Sequence, residues 1–129
     1  YNGTLFHRVI RGFVAQAGGY TTGPALRAPT FAPIKLESAN GLSNVRGTIA
    51  MARSEVPDSA TSQFYFNLVD NPGLNYAGAT SLGYAVFGTI VQGLSIVDEI
   101  AIVPTTTTPG GLTNVPVTDV VILGAQQVQ

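Results

Sequence analysis

His7, Arg8, Phe13 and Gln16 fall within ten residues of one another, in the run Leu5-Phe6-His7-Arg8-Val9-Ile10-Arg11-Gly12-Phe13-Val14-Ala15-Gln16-Ala17-Gly18-Gly19. The rest of that run is apolar and β-rich, so a guanidinium and an imidazole set inside it need a reason. A cation among Phe, Val and Ile loses hydration, which is unfavourable unless a partner or a ligand compensates. The Arg8 guanidinium can neutralise or stack on something structural. Alternatively, it can act on a bound ligand as a rigid, permanently charged fork of N–H donors. Taken alone, an Arg among aromatics is more often structural. His7 by itself reads as a packed or hydrogen-bonded residue rather than a base. Gln16 and the later Gln63 read as side chains that satisfy buried backbone groups.

The composition limits what these residues can be doing. A length of 129 residues suits one domain with a real core. The apolar share is 45% and only 10% of residues are charged, which argues against disorder. Six basic residues against seven acidic leave no cationic footprint, so nucleic acid is not expected as a partner. No apolar run approaches the ~20 residues of a membrane helix, so no membrane partner is expected either. The chain does not open on a cationic segment followed by an apolar one, so no signal peptide is visible. Cysteine is absent and there is a single His, which argues against thiolate catalysis, disulfides and an ordinary zinc site. No metal and no cofactor are expected. The low charge and the Thr, Ala and Gly content lean toward a periplasmic or secreted relative, with the compartment otherwise open.

The elements that must position these side chains are mostly strands. Thr4–Val14 reads as extended, with Phe6, Arg8 and Ile10 on one face and Leu5, His7 and Val9 on the other. Thr21–Pro33, with three prolines, reads as an irregular loop. Ile34–Glu37 is a short candidate strand. Gly47–Ala52 is a small-residue strand suited to close approach of another backbone or a ligand. Ser62–Leu68 is the clearest strand, its Gln63 and Tyr65 on one face. Asp70–Gly73 is turn chemistry, and Tyr84–Val91 is a further strand. Leu94, Val97, Ile100 and Ala101 recur at helical spacing within Gly93–Ile102. The Thr105–Pro109 run reads as a surface loop, and Val117–Leu123 as a closing strand. About six strands and one or two helices imply a mainly β fold, an antiparallel sheet or barrel.

Three colinear segments then resemble the cyclophilin family of peptidyl-prolyl cis-trans isomerases. They are Phe6–Gly19, Gly47–Arg53 followed by Ser59–Tyr65, and Gly83–Gly88 leading into the Val-Asp-Glu-Ile stretch. Asn40–Gly47 and Tyr84 look most like the bacterial branch. Arg11 and Ala17 stand where the family usually has Pro and Gly. Gly73 falls where many members carry a rim aromatic, often Trp. The resemblance runs from Tyr1 to about Leu123, and family members carry two strands and a helix before the first motif. Residues 1–129 therefore read as a single cyclophilin-like domain, an antiparallel β-barrel incomplete at its N-terminus.

The resemblance implies rotation of X-Pro bonds in peptides and unfolded proteins, assisting folding. Twisting such a bond localises the nitrogen lone pair, so a donor aimed at that nitrogen binds the transition state better than the ground state. By the resemblance Arg8 is that donor, with Gln16 and Gln63 holding the guanidinium or the substrate backbone. Phe13, Val14, Tyr65 and Leu74 would receive the proline ring, Ala52 and Tyr84 would line the groove, and His7 would sit beside Arg8. Tyr65 in place of the usual Phe would bring a hydroxyl to the pocket. Gly73 would make cyclosporin binding weak. Two other functions fit the same residues: a proline-peptide-binding module or holdase with little catalysis, or a fragment completed by a missing N-terminal part.

Overall fold

The computed structural model describes residues 1–128 of the chain. Its strands are β1 (Phe6–Ile10), β2 (Val14–Ala17), β3 (Tyr20–Thr21), β4 (Ala25–Leu26), β5 (Thr48–Met51), β6 (Phe64–Asn67) and β7 (Val86–Thr89). A helix α1 (Leu94–Ile100) and the short strands β8 (Thr105–Thr106) and β9 (Val115–Pro116) complete the order. A five-stranded antiparallel sheet in the order β1-β2-β6-β5-β7 carries the fold. Two small hairpin sheets, β3-β4 and β8-β9, flank it. The sheet is mainly β and antiparallel as expected, but it does not close on itself.

Alternation along β6 shows why the sheet has two different faces. Phe64 points into the main core with Phe6, Val9, Ala15, Ala17 and Leu68, and α1 covers this face through Val97 and Ile100. Each of the Phe, Val, Leu and Ile side chains contributes roughly 1.5–3 kcal/mol by leaving water, and the two alanines less. The helix ends one residue inside the expected span at its start and two at its end. Asp98, on its exposed side, bonds Arg46 at 2.7 Å.

The even-numbered face expected for β1 is not what forms. Phe6 pairs with Ala17, yet Arg8 pairs with Gln16, so a bulge at His7 shifts the register by one residue. The extra residue turns Phe6 and Val9 to the same side, into the core. Arg8 is thereby sent to the opposite face, alongside Gln16. A strict two-residue alternation would have faced Phe6 the same way as Arg8, leaving either an exposed Phe or a buried cation.

The bulge also splits the outer edge of β1. Phe6 N–H donates to Val120 O at 3.0 Å and Val9 N–H to Asn114 O at 2.8 Å. The segment expected as a closing strand, Val117–Leu123, therefore reaches β1 through Val120 and is bridged by Val121 to Leu5, just ahead of β1, while Val9 bonds Asn114 outside that segment. Similarly, Ile34–Glu37 contributes one bridge, Ile34 to Ala60, and no strand. In the other direction, the threonine run supplies β8, and the loop after Tyr20 begins with the β3-β4 hairpin. Both pairings are between segments too short to signal themselves by pattern.

Candidate active site

The face opposite the main core carries a row of paired residues across the sheet. Arg8 lies beside Gln16, Gln16 beside Tyr65, Tyr65 beside Ala50 and Ala50 beside Val86. Val14, Ala50, Tyr65 and Val86 are buried together there, with Phe13, Ala52, Leu74 and Tyr84 packed against them. Six of the residues expected to line a groove thus meet in one apolar cluster: Phe13, Val14, Ala52, Tyr65, Leu74 and Tyr84. Phe13 comes from the β1-β2 turn and Leu74 from a 3-10 turn at Pro72–Leu74.

A polar array borders that cluster. Arg8 Nη1 donates to Gln16 Oε1 at 3.3 Å, and Gln16 Nε2 donates to Gln63 Oε1 at 2.8 Å. Gln63 reaches this position because residue 19 is glycine: a Cβ there would sit 2.4 Å from Gln63 Nε2. Arg8 is half-buried and has no carboxylate within ion-pair distance among the described residues. One of its five donors is engaged by Gln16, so the rest of the fork remains available.

Beneath the apolar cluster lies a second, fully polar layer. Asn44 Oδ1 accepts from Tyr65 Oη at 2.7 Å and from Asn67 Nδ2 at 3.0 Å. Asn44 Nδ2 donates to the carbonyls of Leu74 and Tyr84, at 3.1 and 3.4 Å. Asn71 Nδ2 donates to Phe13 O at 3.0 Å and to Asn67 Oδ1 at 2.8 Å. Three residues of the apolar cluster, Phe13, Leu74 and Tyr84, are therefore held by their main chains from below. The Tyr65 hydroxyl, expected at the pocket, belongs instead to this layer, where it donates to Asn44. Burial raises its pKa, with Tyr84 adding to the effect, so it stays a donor to Asn44.

Asn44, Asn67 and Asn71 were not singled out by their types in the sequence. The available signal was Asn67 itself, an amide closing an aromatic strand where Asn is disfavoured. Such a residue, once buried, needs partners.

His7 is not brought to the apolar cluster. As the bulge residue it turns away from Arg8's partners and stacks on Tyr20, with ring centroids 4.3 Å apart. Its Nδ1 is buried without a partner. Burial, reinforced by the Arg8 charge, lowers its pKa to about 4. Because the folded value lies below the unfolded one of ~6.5, the unfolded chain binds the proton more readily. Stability is expected to fall as pH drops from about 6.5 toward about 4, by on the order of 2 kcal/mol. His7→Phe, which keeps the stacked ring, should flatten that part of the profile in chemical denaturation series; an unchanged slope would rule the assignment out.

Residues 1–127 match the family described as cyclophilin type peptidyl-prolyl cis-trans isomerase/CLD. The chain belongs to that family. It is 55% identical over 126 residues to a peptidyl-prolyl cis-trans isomerase of Acinetobacter baylyi, covering 98% of this chain and 65% of the relative. It is 49% identical over 124 residues to peptidyl-prolyl cis-trans isomerase B of Escherichia coli, covering 95% of this chain and 74% of the relative. The chain thus spans about two thirds to three quarters of the length of these relatives. A crystal structure of a Cryptosporidium parvum cyclophilin type isomerase, determined with the dipeptide Ala-Pro, shares the fold. It aligns at a TM-score of 0.72 and 23% identity, over 95% of this chain and 72% of that one.

Proposed function

We propose that residues 1–129 act as one peptidyl-prolyl cis-trans isomerase domain on X-Pro bonds of peptides and unfolded proteins. The observation that carries the reading is a half-buried guanidinium without a carboxylate partner among the described residues, bonded to Gln16, which is itself held by Gln63, at the border of an apolar cluster. The cluster of Phe13, Val14, Tyr65 and Leu74 suits a proline ring, which is apolar and lacks an N–H to satisfy. Arg8 then supplies donors to the prolyl nitrogen as the amide twists, and Gln63 supplies its amide to the peptide backbone. The barrier to rotation is ~18–20 kcal/mol. A positioned donor that strengthens only in the transition state removes roughly 3–4 kcal/mol of such a barrier. No nucleophile or proton transfer is needed. The test is two-dimensional exchange spectroscopy on an Ala-Pro tetrapeptide, with the cis and trans peaks exchanging faster on adding the chain. A rate equal to that of the peptide alone would reject an isomerase.

One observation favours a second reading, peptide binding with little turnover: the sheet is open between β1 and β7, so the groove rests on a less constrained frame. In that case the peptide shifts groove resonances while exchange stays at background.

Cyclosporin, a bulky apolar cyclic peptide, is expected to bind weakly. Gly73 is exposed at the turn that presents Leu74, and a Cβ added there meets nothing within 4 Å. Gly73→Trp has room to supply an aromatic rim and should tighten binding on the order of tenfold. Isothermal titration calorimetry of both proteins checks this, and an affinity no better than the parent's would refute the placement of Gly73.

A further inference from the structure

A second guanidinium stands on the same face, and the reading above gives it no work. Arg53 is half-buried, over the Tyr84 ring at 4.8 Å. Its Nε and Nη2 donate to Gly83 O at 3.0 and 2.8 Å, and its Nη1 donates to Ser54 O at 2.9 Å. The Gly83 carbonyl is available because residue 83 has φ +60° and a Cβ there would lie 2.5 Å from the Asn75 carbonyl carbon. The side chain is therefore aimed by two carbonyls and a ring, not by a counter-ion. Among the described residues Arg53 has no carboxylate within ion-pair distance. On its own loop, Glu55 is exposed and the Asp58 carboxylate is taken by Leu36 N–H at 2.9 Å.

The charge borders a polar hollow next to the apolar cluster. Gln16, Ala52, Arg53, Ser59, Thr61 and Gln63 line most of this open cavity of about 230 Å³. Gln16 is the residue that accepts from Arg8, and Gln63 is the residue that in turn accepts from Gln16. A peptide whose proline lies in the apolar cluster would thus have a neighbouring residue over this hollow. The hollow's walls offer amides and hydroxyls, with one cation and no anion. Three of the five donors of Arg53 are engaged, leaving two to meet an acceptor.

We infer that Arg53 selects peptides with an acidic side chain within two residues of the proline. The inference rests on the groove being the peptide site. A carboxylate placed there gains a charge-assisted, partly desolvated hydrogen bond and relieves an uncompensated cation, where a Gln of the same size gains only a neutral one.

The experiment uses the whole chain and two short Ala-Pro peptide series, with Glu, Gln or Lys on the N-terminal or the C-terminal flank. Affinity is read from chemical-shift titration and turnover separately from exchange spectroscopy. In one of the two series the Glu peptide is expected to bind roughly fivefold more tightly than the Gln peptide, and the Lys peptide more weakly than either. The Glu to Gln ratio should shrink in high salt and fall to about one in Arg53→Gln, while Arg53→Lys keeps part of it. Ratios are taken within each variant, so a general loss of affinity does not mimic the result. A Glu preference without turnover supports the inference and rejects the isomerase. Turnover with equal Glu and Gln affinities in both series overturns the inference alone, and absence of any peptide binding overturns both.

Discussion

Arg8→Ala is expected to lower kcat/KM for an Ala-Pro peptide by roughly a hundredfold or more. The loss should fall on kcat. The groups that would hold the proline ring, Phe13, Val14, Tyr65 and Leu74, are packed by the sheet and the 3-10 turn and make no use of the Arg8 side chain. An interaction realised only as the amide twists disappears from the rate and leaves ground-state affinity nearly intact. Stability should change little, since Arg8 is half-buried, forms one long side-chain hydrogen bond at 3.3 Å and has no ion-pair partner among the described residues. Arg8→Lys is the sharper control. It keeps the charge but loses the planar fork that meets Gln16 and a ligand at once, so it should recover only a small part of the rate. Exchange spectroscopy gives kcat and shift titration gives affinity. Retention of the parent's turnover by Arg8→Ala would remove the guanidinium from the mechanism.

Much of the apolar cluster at the candidate site is legible in the sequence because its residues alternate on strands. Phe64-Tyr65-Phe66 splits between two faces in any extended run, and the β2-β6 and β5-β6 pairings carry that alternation across the sheet, which brings Val14, Tyr65 and Ala52 into one cluster. The helix was legible for a similar reason, since Val97 and Ile100 mark one apolar stripe. The bulge at His7 was not. It is a compromise between burying Phe6 with Val9 and keeping Arg8 out of the core, and only the paired strand shows which residue is the extra one. The destination of the Tyr65 hydroxyl was equally hidden, because its partner Asn44 lies in a segment that reads simply as a turn. Loop residues that act through backbone carbonyls leave no periodic trace. Arg53 stood at the end of a recognisable segment, yet its role depends on Gly83 being brought beside it from thirty residues away. What joins distant loops is decided by geometry, and residue types alone do not report it.

Asn44→Ala should be the most destabilising single change in the groove, costing about 3 kcal/mol and lowering the melting temperature on the order of 10 °C. Asn44 is 1% exposed. Its amide meets Tyr65, Asn67, Asn75 and the carbonyls of Leu74 and Tyr84, so truncation strands several buried polar groups at once. An unmet buried donor or acceptor costs roughly 1–3 kcal/mol, and the space left by an amide lets a water repair only part of that. Tyr65→Phe is predicted to be much milder, about 1 kcal/mol, because Asn44 Oδ1 keeps Asn67 as a donor. Combining the two changes should therefore cost less than their sum, since in the Asn44→Ala background the Tyr65 hydroxyl has already lost its acceptor and its removal relieves a buried unpaired group. Chemical denaturation of the four proteins of this cycle checks the coupling. Strict additivity, or a loss below 1 kcal/mol for Asn44→Ala, would mean that water or a shifted loop replaces the amide. The same variant should also weaken peptide binding, because the carbonyls that fix Leu74 and Tyr84 lose their common donor while Phe13, held separately by Asn71, keeps its place. One wall of the groove would loosen and the other would not.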